Sequence, residues 1–129
     1  MFQAAKIHHV AIICSDYAAS KRFYTEILGF EPIHEACRQE RQSYKLDLRV
    51  GDSQIELFSF PTPPKRVSQP EACGLRHLAF EVEDVAASLA YLRSHGVEAE
   101  DIRIDEFTGR KFTFFRDPDN LPLEVYQRT

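Results

Sequence analysis

Residues 74–84 read GLRHLAFEVED, and residues 9–16 read HVAIICSD. In both stretches a histidine is followed by an apolar run, with alanine two positions and aspartate seven positions after the histidine. The two histidines, His9 and His77, are 68 positions apart (77 − 9). A sequence that repeats itself at a fixed offset indicates a duplicated structural unit. The chain is therefore predicted to consist of two halves that fold in the same way.

The same offset relates two glutamates. Glu56 lies in the apolar segment QIELF and Glu124 in the segment PLEVY, again 68 positions later (124 − 56). Each histidine thus precedes a glutamate by 47 residues (56 − 9 and 124 − 77). Each half carries one imidazole and one carboxylate on an apolar segment, and the functional hypothesis starts from this observation.

Hydrophobic patterns predict the same order of elements in both halves, which is one strand, one helix and three further strands. Asp16 and Asp84 follow the first strand of each half and are suited to cap the helix that begins there. Gly29 and Gly96 are suited to end those helices. The predicted elements of the first half are strands at 7–14, 30–36, 43–50 and 54–60 and a helix at 17–28. Those of the second half are strands at 77–82, 110–116 and 121–127, a strand with its preceding turn at 97–104, and a helix that ends at residue 93.

The length of 129 residues corresponds to one domain. We expect a single domain over residues 1–129, made of a module at residues 7–60 and a module at residues 74–127. Residues 61–73 join the modules, and their four prolines exclude a helix interior or a central strand. This connector is expected to be extended and could also form a wall of the site.

Composition excludes several classes of protein. The net charge is −4 and no basic run exceeds two residues, which argues against a nucleic-acid partner held by phosphate contacts. No segment approaches the ~20 apolar residues of a membrane span, and the N-terminus has no apolar stretch of signal-peptide length. Three cysteines without CxxC spacing are typical of a reduced, cytoplasmic protein.

The two histidines and two glutamates predict a metal site. Alternation along the first strand places His9 on one face and His8 on the other. If the halves pack with approximate twofold symmetry, His9 and Glu56 face His77 and Glu124 across one cavity. Such nitrogen and oxygen ligands suit a divalent first-row metal, which leaves zinc, nickel, cobalt, iron and manganese open. A lone histidine on an apolar strand is more often a hydrogen-bonded core residue, but the matched spacing favours ligands.

These motifs resemble the vicinal oxygen chelate superfamily, which includes glyoxalase I, methylmalonyl-CoA epimerase, extradiol dioxygenases and fosfomycin-resistance enzymes. The resemblance covers essentially the whole chain. It rests on HVAI at 9–12, the pattern from Asp16 to Phe30, IEL at 55–57, HLAF at 77–80, and DPDN at 117–120 followed by Leu123-Glu124. Within the superfamily the chain is similar to bacterial proteins of the glyoxalase I, or lactoylglutathione lyase, type. The resemblance implies an α+β fold of two tandem βαβββ modules that form a cup-shaped, eight-stranded mixed sheet with the metal inside. It also implies a homodimer.

The resemblance further implies a metal-dependent lyase or isomerase that acts on a small oxygen-chelating substrate, such as a thiol adduct of a 2-oxoaldehyde. Glu124 matches the ligand that moves a proton, and Glu56 matches the other carboxylate, a ligand or second proton carrier. Glyoxalase I sequences usually place arginine and asparagine, both contacting glutathione, where this chain has Ile13 and Phe60. These two departures leave open whether glutathione is the thiol. Basic residues that could bind an anionic substrate instead are Arg38, Arg41, Lys45, Arg110 and Lys111.

Two other classes of function remain open. A dioxygenase of this superfamily would bind iron through two histidines and one carboxylate, so the fourth ligand would be redundant. A non-catalytic binding or resistance protein would hold a small molecule without turnover.

Overall fold

The structure is a computed structural model that describes every residue from Met1 to Thr129. The chain divides into two compact units, Met1–Pro64 and Lys65–Thr129. Each unit contains a strand, a helix and three further strands in that order. The predicted α+β fold of two tandem βαβββ modules is confirmed.

The first unit contains a four-stranded mixed sheet in the order β1-β4-β3-β2. β1 and β4 are parallel, whereas the other neighbours are antiparallel. The helix continues for five further residues in π-helical form, and a short 3-10 turn joins β2 to β3. The bounds are β1 (His9–Cys14), α1 (Tyr17–Arg22), the π-helical segment (Phe23–Ile27), β2 (Glu31–Arg38), the 3-10 turn (Gln39–Arg41), β3 (Ser43–Val50) and β4 (Ser53–Ser59).

The second unit repeats this arrangement in the order β5-β8-β7-β6. β5 and β8 are parallel, and the other neighbours are antiparallel. The bounds are β5 (Leu78–Val82), α2 (Val85–Ser94), β6 (Arg103–Ile104), β7 (Lys111–Arg116) and β8 (Pro122–Gln127).

The two predicted helix caps are confirmed. The Asp16 carboxylate accepts a hydrogen bond of 3.1 Å from the backbone N–H of Ala19, and Asp84 accepts one of 2.9 Å from that of Ala87. Each bond satisfies a backbone donor that the first helical turn leaves unpaired. Gly29, beyond the first helix, has a φ of +74°, a conformation that favours glycine because it strains other residues.

The segment predicted at residues 97–104 as a turn followed by a strand contains one short strand, β6, which consists of Arg103 and Ile104. The Thr113 hydroxyl donates a hydrogen bond of 2.6 Å to the carbonyl of Glu100. The Glu100 N–H donates a hydrogen bond of 2.9 Å to the Phe114 carbonyl, and Ala99 forms an isolated bridge with Phe115. Backbone pairing with β7 therefore continues before β6, but in a register that is shifted by one residue. Sequence alternation does not reveal this shift.

Each unit has its own core, formed where its helix packs on its sheet. α2 contacts β7 and β8, and α1 contacts β4. The buried apolar side chains of the first unit include Ile12, Tyr24, Leu46, Leu48, Ile55 and Leu57. Those of the second unit include Val85, Leu89, Leu92, Phe115, Leu123 and Val125. Neither α1 nor α2 has the length and apolar character required to span a bilayer.

A polar cluster connects α1 to β2 and predicts a dependence of stability on pH. The Nζ atom of Lys21 is 2.8 Å from Oε2 of Glu35, and the Tyr17 hydroxyl donates to the same oxygen. The hydrogen bonds from Lys21 and then Tyr17 lower the pKa of Glu35 below its ordinary value of 4.5. A carboxyl with a lowered folded-state pKa stabilises the fold fully above its unfolded-state pKa, and this contribution is lost as the pH falls through the folded-state value.

We therefore expect the stability difference between the wild type and Glu35→Gln to be constant above about pH 5.5 and to shrink below the ordinary pKa. Urea unfolding at several pH values between about 3 and 7 measures it. Glu26→Gln is the control, because its pair with Arg22 leaves both side chains about 70% exposed and should contribute little. A difference for Glu35→Gln that stays constant or grows at low pH would contradict the prediction.

Candidate functional site

His9 and Glu56 lie side by side in the first unit. His9 begins β1, and Glu56 is on the neighbouring parallel strand β4, opposite Ala11. Strand alternation therefore brings both side chains to the same face of the sheet. The distance between His9 Nδ1 and Glu56 Oε2 is 3.4 Å. The Glu56 side chain is 13% exposed and that of His9 is 41% exposed, so the pair is open on the imidazole side.

His77 and Glu124 repeat this arrangement in the second unit. His77 immediately precedes β5, and Glu124 is on the parallel strand β8, opposite Ala79. The distance between His77 Nε2 and Glu124 Oε1 is 3.4 Å, and the glutamate side chain is only 11% exposed. The ring of His77 packs edge-on against Phe114, with 5.1 Å between the ring centroids.

The donor atoms in both pairs have a spacing that suits a shared ion. Two ligand atoms that are each about 2.1 Å from one metal and subtend a tetrahedral angle are about 3.4 Å apart. The imidazole–carboxylate distance is 3.4 Å in each unit. The structure contains no group of three or more histidine, cysteine, aspartate or glutamate side chains arranged to hold an ion. Each unit therefore supplies two donors, which is half of the predicted ligand set.

Charged and polar side chains surround Glu56. Lys45 Nζ is 3.7 Å from Glu56 Oε1 and 2.7 Å from Asp47 Oδ1. The hydrogen bond to Asp47 raises the pKa of the Lys45 ammonium. The Gln54 side-chain amide donates to Glu56 Oε2 at 3.3 Å. A cation and an amide donor thus fix the orientation of the Glu56 carboxylate.

An aromatic side chain lies opposite Glu124 in the second unit. Phe114 on β7 is opposite Glu124, whereas Asp47 on β3 is opposite Glu56 at the corresponding position of the first unit. Burial raises the pKa of the Glu124 carboxyl above its ordinary value, and the charge of His77 offsets only part of this. A carboxyl with a pKa moved toward neutrality transfers protons more effectively at neutral pH. The two glutamates therefore differ in the chemistry that their surroundings favour.

The positions that contact glutathione in glyoxalase I carry apolar side chains here. Ile13 is 55% exposed on β1. Phe60 stacks on Phe58, with 6.2 Å between the ring centroids and 4° between the ring planes. Neither side chain offers a hydrogen-bond donor, so these positions give no support for a glutathione carboxylate or amide.

A pocket beside His77 includes residues that the sequence analysis did not select. It has a volume of about 420 Å³ and is lined by part of the connector together with side chains of β6 and β7. Its arginines are Arg66, Arg76, Arg103 and Arg116. The basic residues proposed from the sequence for anion binding are all different. The only sequence signal for this pocket is that Arg66 lies within the proline-rich connector and Arg76 directly precedes His77.

Comparison with known proteins identifies a family for residues 6–125. The family profile that matches is the Glyoxalase/Bleomycin resistance protein/Dioxygenase superfamily. The chain is 56% identical over 129 residues to the uncharacterized protein YaeR of Escherichia coli (strain K12), covering 99% of this chain and 100% of that protein. It is 58% identical over 123 residues to the uncharacterized protein YwkD of Bacillus subtilis (strain 168), covering 95% and 96%. A crystal structure of a glyoxalase family protein from Enterococcus faecalis has a TM-score of 0.89 and 52% identity, covering 95% of this chain and 97% of that one.

More distant relatives have different activities in their names. A 2-epi-5-epi-valiolone epimerase from Actinomyces sp is 30% identical, and the match covers 95% of this chain and 79% of that protein. A lactoylglutathione lyase from Schizosaccharomyces pombe is 23% identical, and a manganese-dependent 2,3-dihydroxybiphenyl 1,2-dioxygenase from Geobacillus genomosp. 3 is 30% identical. Both matches cover 96% of this chain but only 48% and 37% of the respective relatives. The relatives thus include an epimerase, a lyase and a dioxygenase.

Proposed function

Because the chain belongs to the glyoxalase/bleomycin resistance protein/dioxygenase superfamily, we propose that it is a metal-dependent lyase or isomerase of the glyoxalase I type. Membership confirms the family predicted from the repeated motifs. The proposed substrate is a small molecule with neighbouring oxygen atoms, such as a thiol adduct of a 2-oxoaldehyde. The proposed metal ligands are His9, Glu56, His77 and Glu124, and zinc or nickel is the favoured ion.

The observation that carries this proposal is the pairing of one imidazole with one carboxylate at 3.4 Å in each unit. Nitrogen and oxygen donors at this spacing suit a divalent first-row metal. The metal ion, when bound, would supply Lewis-acid stabilisation of the negative charge that develops on a substrate oxygen. Binding of an ion would also offset much of the desolvation cost of placing these ionisable side chains in a sheet.

The residues have distinct roles in the proposed reaction. The Glu124 carboxylate accepts the proton from a substrate carbon and returns it to the neighbouring carbon, a role that its match to the proton-moving ligand of glyoxalase I supports. The Glu56 carboxylate, which Lys45 and Gln54 contact, is the second carboxylate ligand of the proposed metal ion. Two carboxylates favour proton-transfer chemistry over a dioxygenase, which would need only one.

Metal titration of the chelator-treated protein tests the ligand set. We expect one zinc or nickel ion per chain, and we expect His9→Ala and His77→Ala each to weaken binding by more than about 100-fold, because loss of an outer-shell partner alone costs 10- to 100-fold. Isothermal titration calorimetry measures the affinity and the stoichiometry. His95→Ala is the control, because His95 hydrogen-bonds to the Tyr91 carbonyl at the end of α2.

Two outcomes of this titration would contradict the proposal. One is unchanged metal affinity in both variants. The other is two independent ions, each weakened by only one substitution, which would show that the pairs do not share an ion. An assay with methylglyoxal and a thiol, run with nickel, cobalt and zinc, then tests the activity. Oxygen consumption in place of isomerisation would favour the dioxygenase alternative.

A further inference from the structure

The pocket beside His77 lies on the same sheet face as Glu124. Its wall on β7 includes Phe114, which is opposite Glu124 in the register of β7 and β8. Alternation places Arg116 on this face too, two residues further along β7. A molecule in the pocket would therefore contact the imidazole of the second His–Glu pair. The volume of about 420 Å³ is in the range of small-ligand pockets.

The charge of this pocket is positive although the whole chain has a net charge of −4. Four arginines and two glutamates line it. Arg76 pairs with Glu71 at 3.4 Å, and Arg103 pairs with Glu100 at 3.3 Å. Arg66 and Arg116 form no ion pair with a carboxylate. Two positive charges therefore remain uncompensated in one concave site, which attracts anions.

Two of these arginines are held in place before any ligand arrives. The Arg66 guanidinium donates to the carbonyls of Leu75 and Arg76 at 2.6 and 3.1 Å and to the Ser68 hydroxyl at 3.0 Å. All three acceptors are neutral, so the positive charge is fixed without being cancelled. The Arg103 guanidinium lies over the rings of Phe112 and Phe114, 5.1 and 5.3 Å from their centroids. A positioned guanidinium loses less conformational entropy when it binds an anion.

We propose that this pocket, formed by Arg66, Arg76, Arg103 and Arg116, binds an anionic group of the substrate, a carboxylate or a phosphate. Planar guanidinium groups suit both anions because their N–H donors match pairs of oxygen atoms. The inference rests on the proposed function, since the bound molecule is taken to react at the neighbouring His77–Glu124 pair. It gives that function a substrate class, which is a small acid or phosphate ester.

Three matched three-carbon probes test the charge requirement on the purified full-length protein. Glycerate carries a carboxylate, glycerol 3-phosphate carries a phosphate, and glycerol is neutral. We expect at least one of the two anions to bind at least about tenfold more tightly than glycerol in calorimetry, because hydrogen bonds to charged groups are the stronger ones. Binding of glycerate alone assigns the pocket to carboxylates, and binding of glycerol 3-phosphate alone assigns it to phosphates. Equal binding of all three compounds overturns the proposal.

Variants of the arginines locate the binding. Arg116→Gln and Arg76→Gln are each expected to weaken anion binding by about tenfold, and both change an exposed side chain, so folding should survive. Arg128→Gln removes the same charge from a residue that is 60% exposed and lies outside the pocket, and it should leave the affinity unchanged. Wild-type affinity in both pocket variants, or an equal loss in the control, overturns the proposal.

The cysteines provide a second readout of location. Cys73 lines the pocket and is exposed, and Cys37 is exposed on β2 outside it. The bound anion should slow the alkylation of Cys73 by iodoacetamide and leave that of Cys37 unchanged. Equal protection of both cysteines, or of neither at saturating anion, contradicts binding in this pocket.

The two proposals fail in different ways. Anion binding should persist in Glu124→Gln and in chelator-treated protein, because the proposed donors to the anionic group are arginines and Glu124 does not line the pocket. If anion binding persists but no metal-dependent turnover exists, the proposed function is wrong and the pocket stands. If metal binding and turnover are intact but Arg116→Gln and Arg76→Gln bind every probe like the wild type, only the pocket is wrong.

Discussion

Replacing Glu124 by glutamine is expected to lower turnover by about 10²- to 10⁴-fold, the usual contribution of a positioned proton carrier. Glutamine keeps the size of the side chain and one oxygen donor, but its amide does not accept a proton at neutral pH. The bound metal should therefore be retained when it is supplied in excess. Measurement of kcat together with the metal content of the same sample separates the loss of proton transfer from the loss of the ion.

Glu81→Gln is the matched control for this substitution. Glu81 is on β5, where its carboxylate is 59% exposed and lies 3.5 Å from Arg128. Removal of this exposed charge should leave turnover unchanged. Wild-type turnover in Glu124→Gln at equal metal content would show that Glu124 is not the proton carrier. An equal loss in both variants would point to a general effect of negative charge.

Replacing Leu123 by alanine is expected to lower the free energy of unfolding by about 2–5 kcal/mol, the range for a buried leucine. Leu123 is fully buried in β8 and directly precedes Glu124. Alternation sends its side chain into the core under α2 while Glu124 points to the other face. Urea unfolding followed by circular dichroism measures the change.

Leu75→Ala is the comparison, because Leu75 is 47% exposed and its removal leaves no cavity. Its effect should stay within about 0.5 kcal/mol. A loss below about 1 kcal/mol for Leu123→Ala would mean that the core of the second unit refills the vacated space. The position of Glu124 would then depend less on this packing than the burial of Leu123 indicates.

Local patterns were sufficient to predict the order of elements. The spacing of apolar residues identified all eight strands and both helices, and Asp16 and Asp84 identified the helix starts. These features depend on side chains and backbone groups that are close in sequence, so a single chain reveals them. The 68-residue repeat also predicted the pairs His9–Glu56 and His77–Glu124. Residues related by this offset occupy corresponding positions on corresponding strands of the two halves.

Features that depend on tertiary contacts could not be predicted. β6 is short because the pairing with β7 changes register by one residue between Ala99–Phe115 and Arg103–Phe112. The pocket beside His77 requires Arg66 from the connector and Arg116 from β7, which are 50 positions apart (116 − 66). No periodicity relates such residues. Their common site becomes visible only when the chain is folded.

The different neighbours of the two glutamates bear on how such a chain can evolve. An ancestral half-length protein that assembled as identical copies would surround every copy of its glutamate with the same side chains. Joining two copies in one gene lifts that restriction, because a mutation opposite one glutamate no longer changes the other. Asp47 and Phe114, which are opposite Glu56 and Glu124, are two such unlike residues at corresponding positions. Gene fusion thereby allows a single polypeptide to hold one acid in two unlike settings, which a symmetric assembly of halves cannot do.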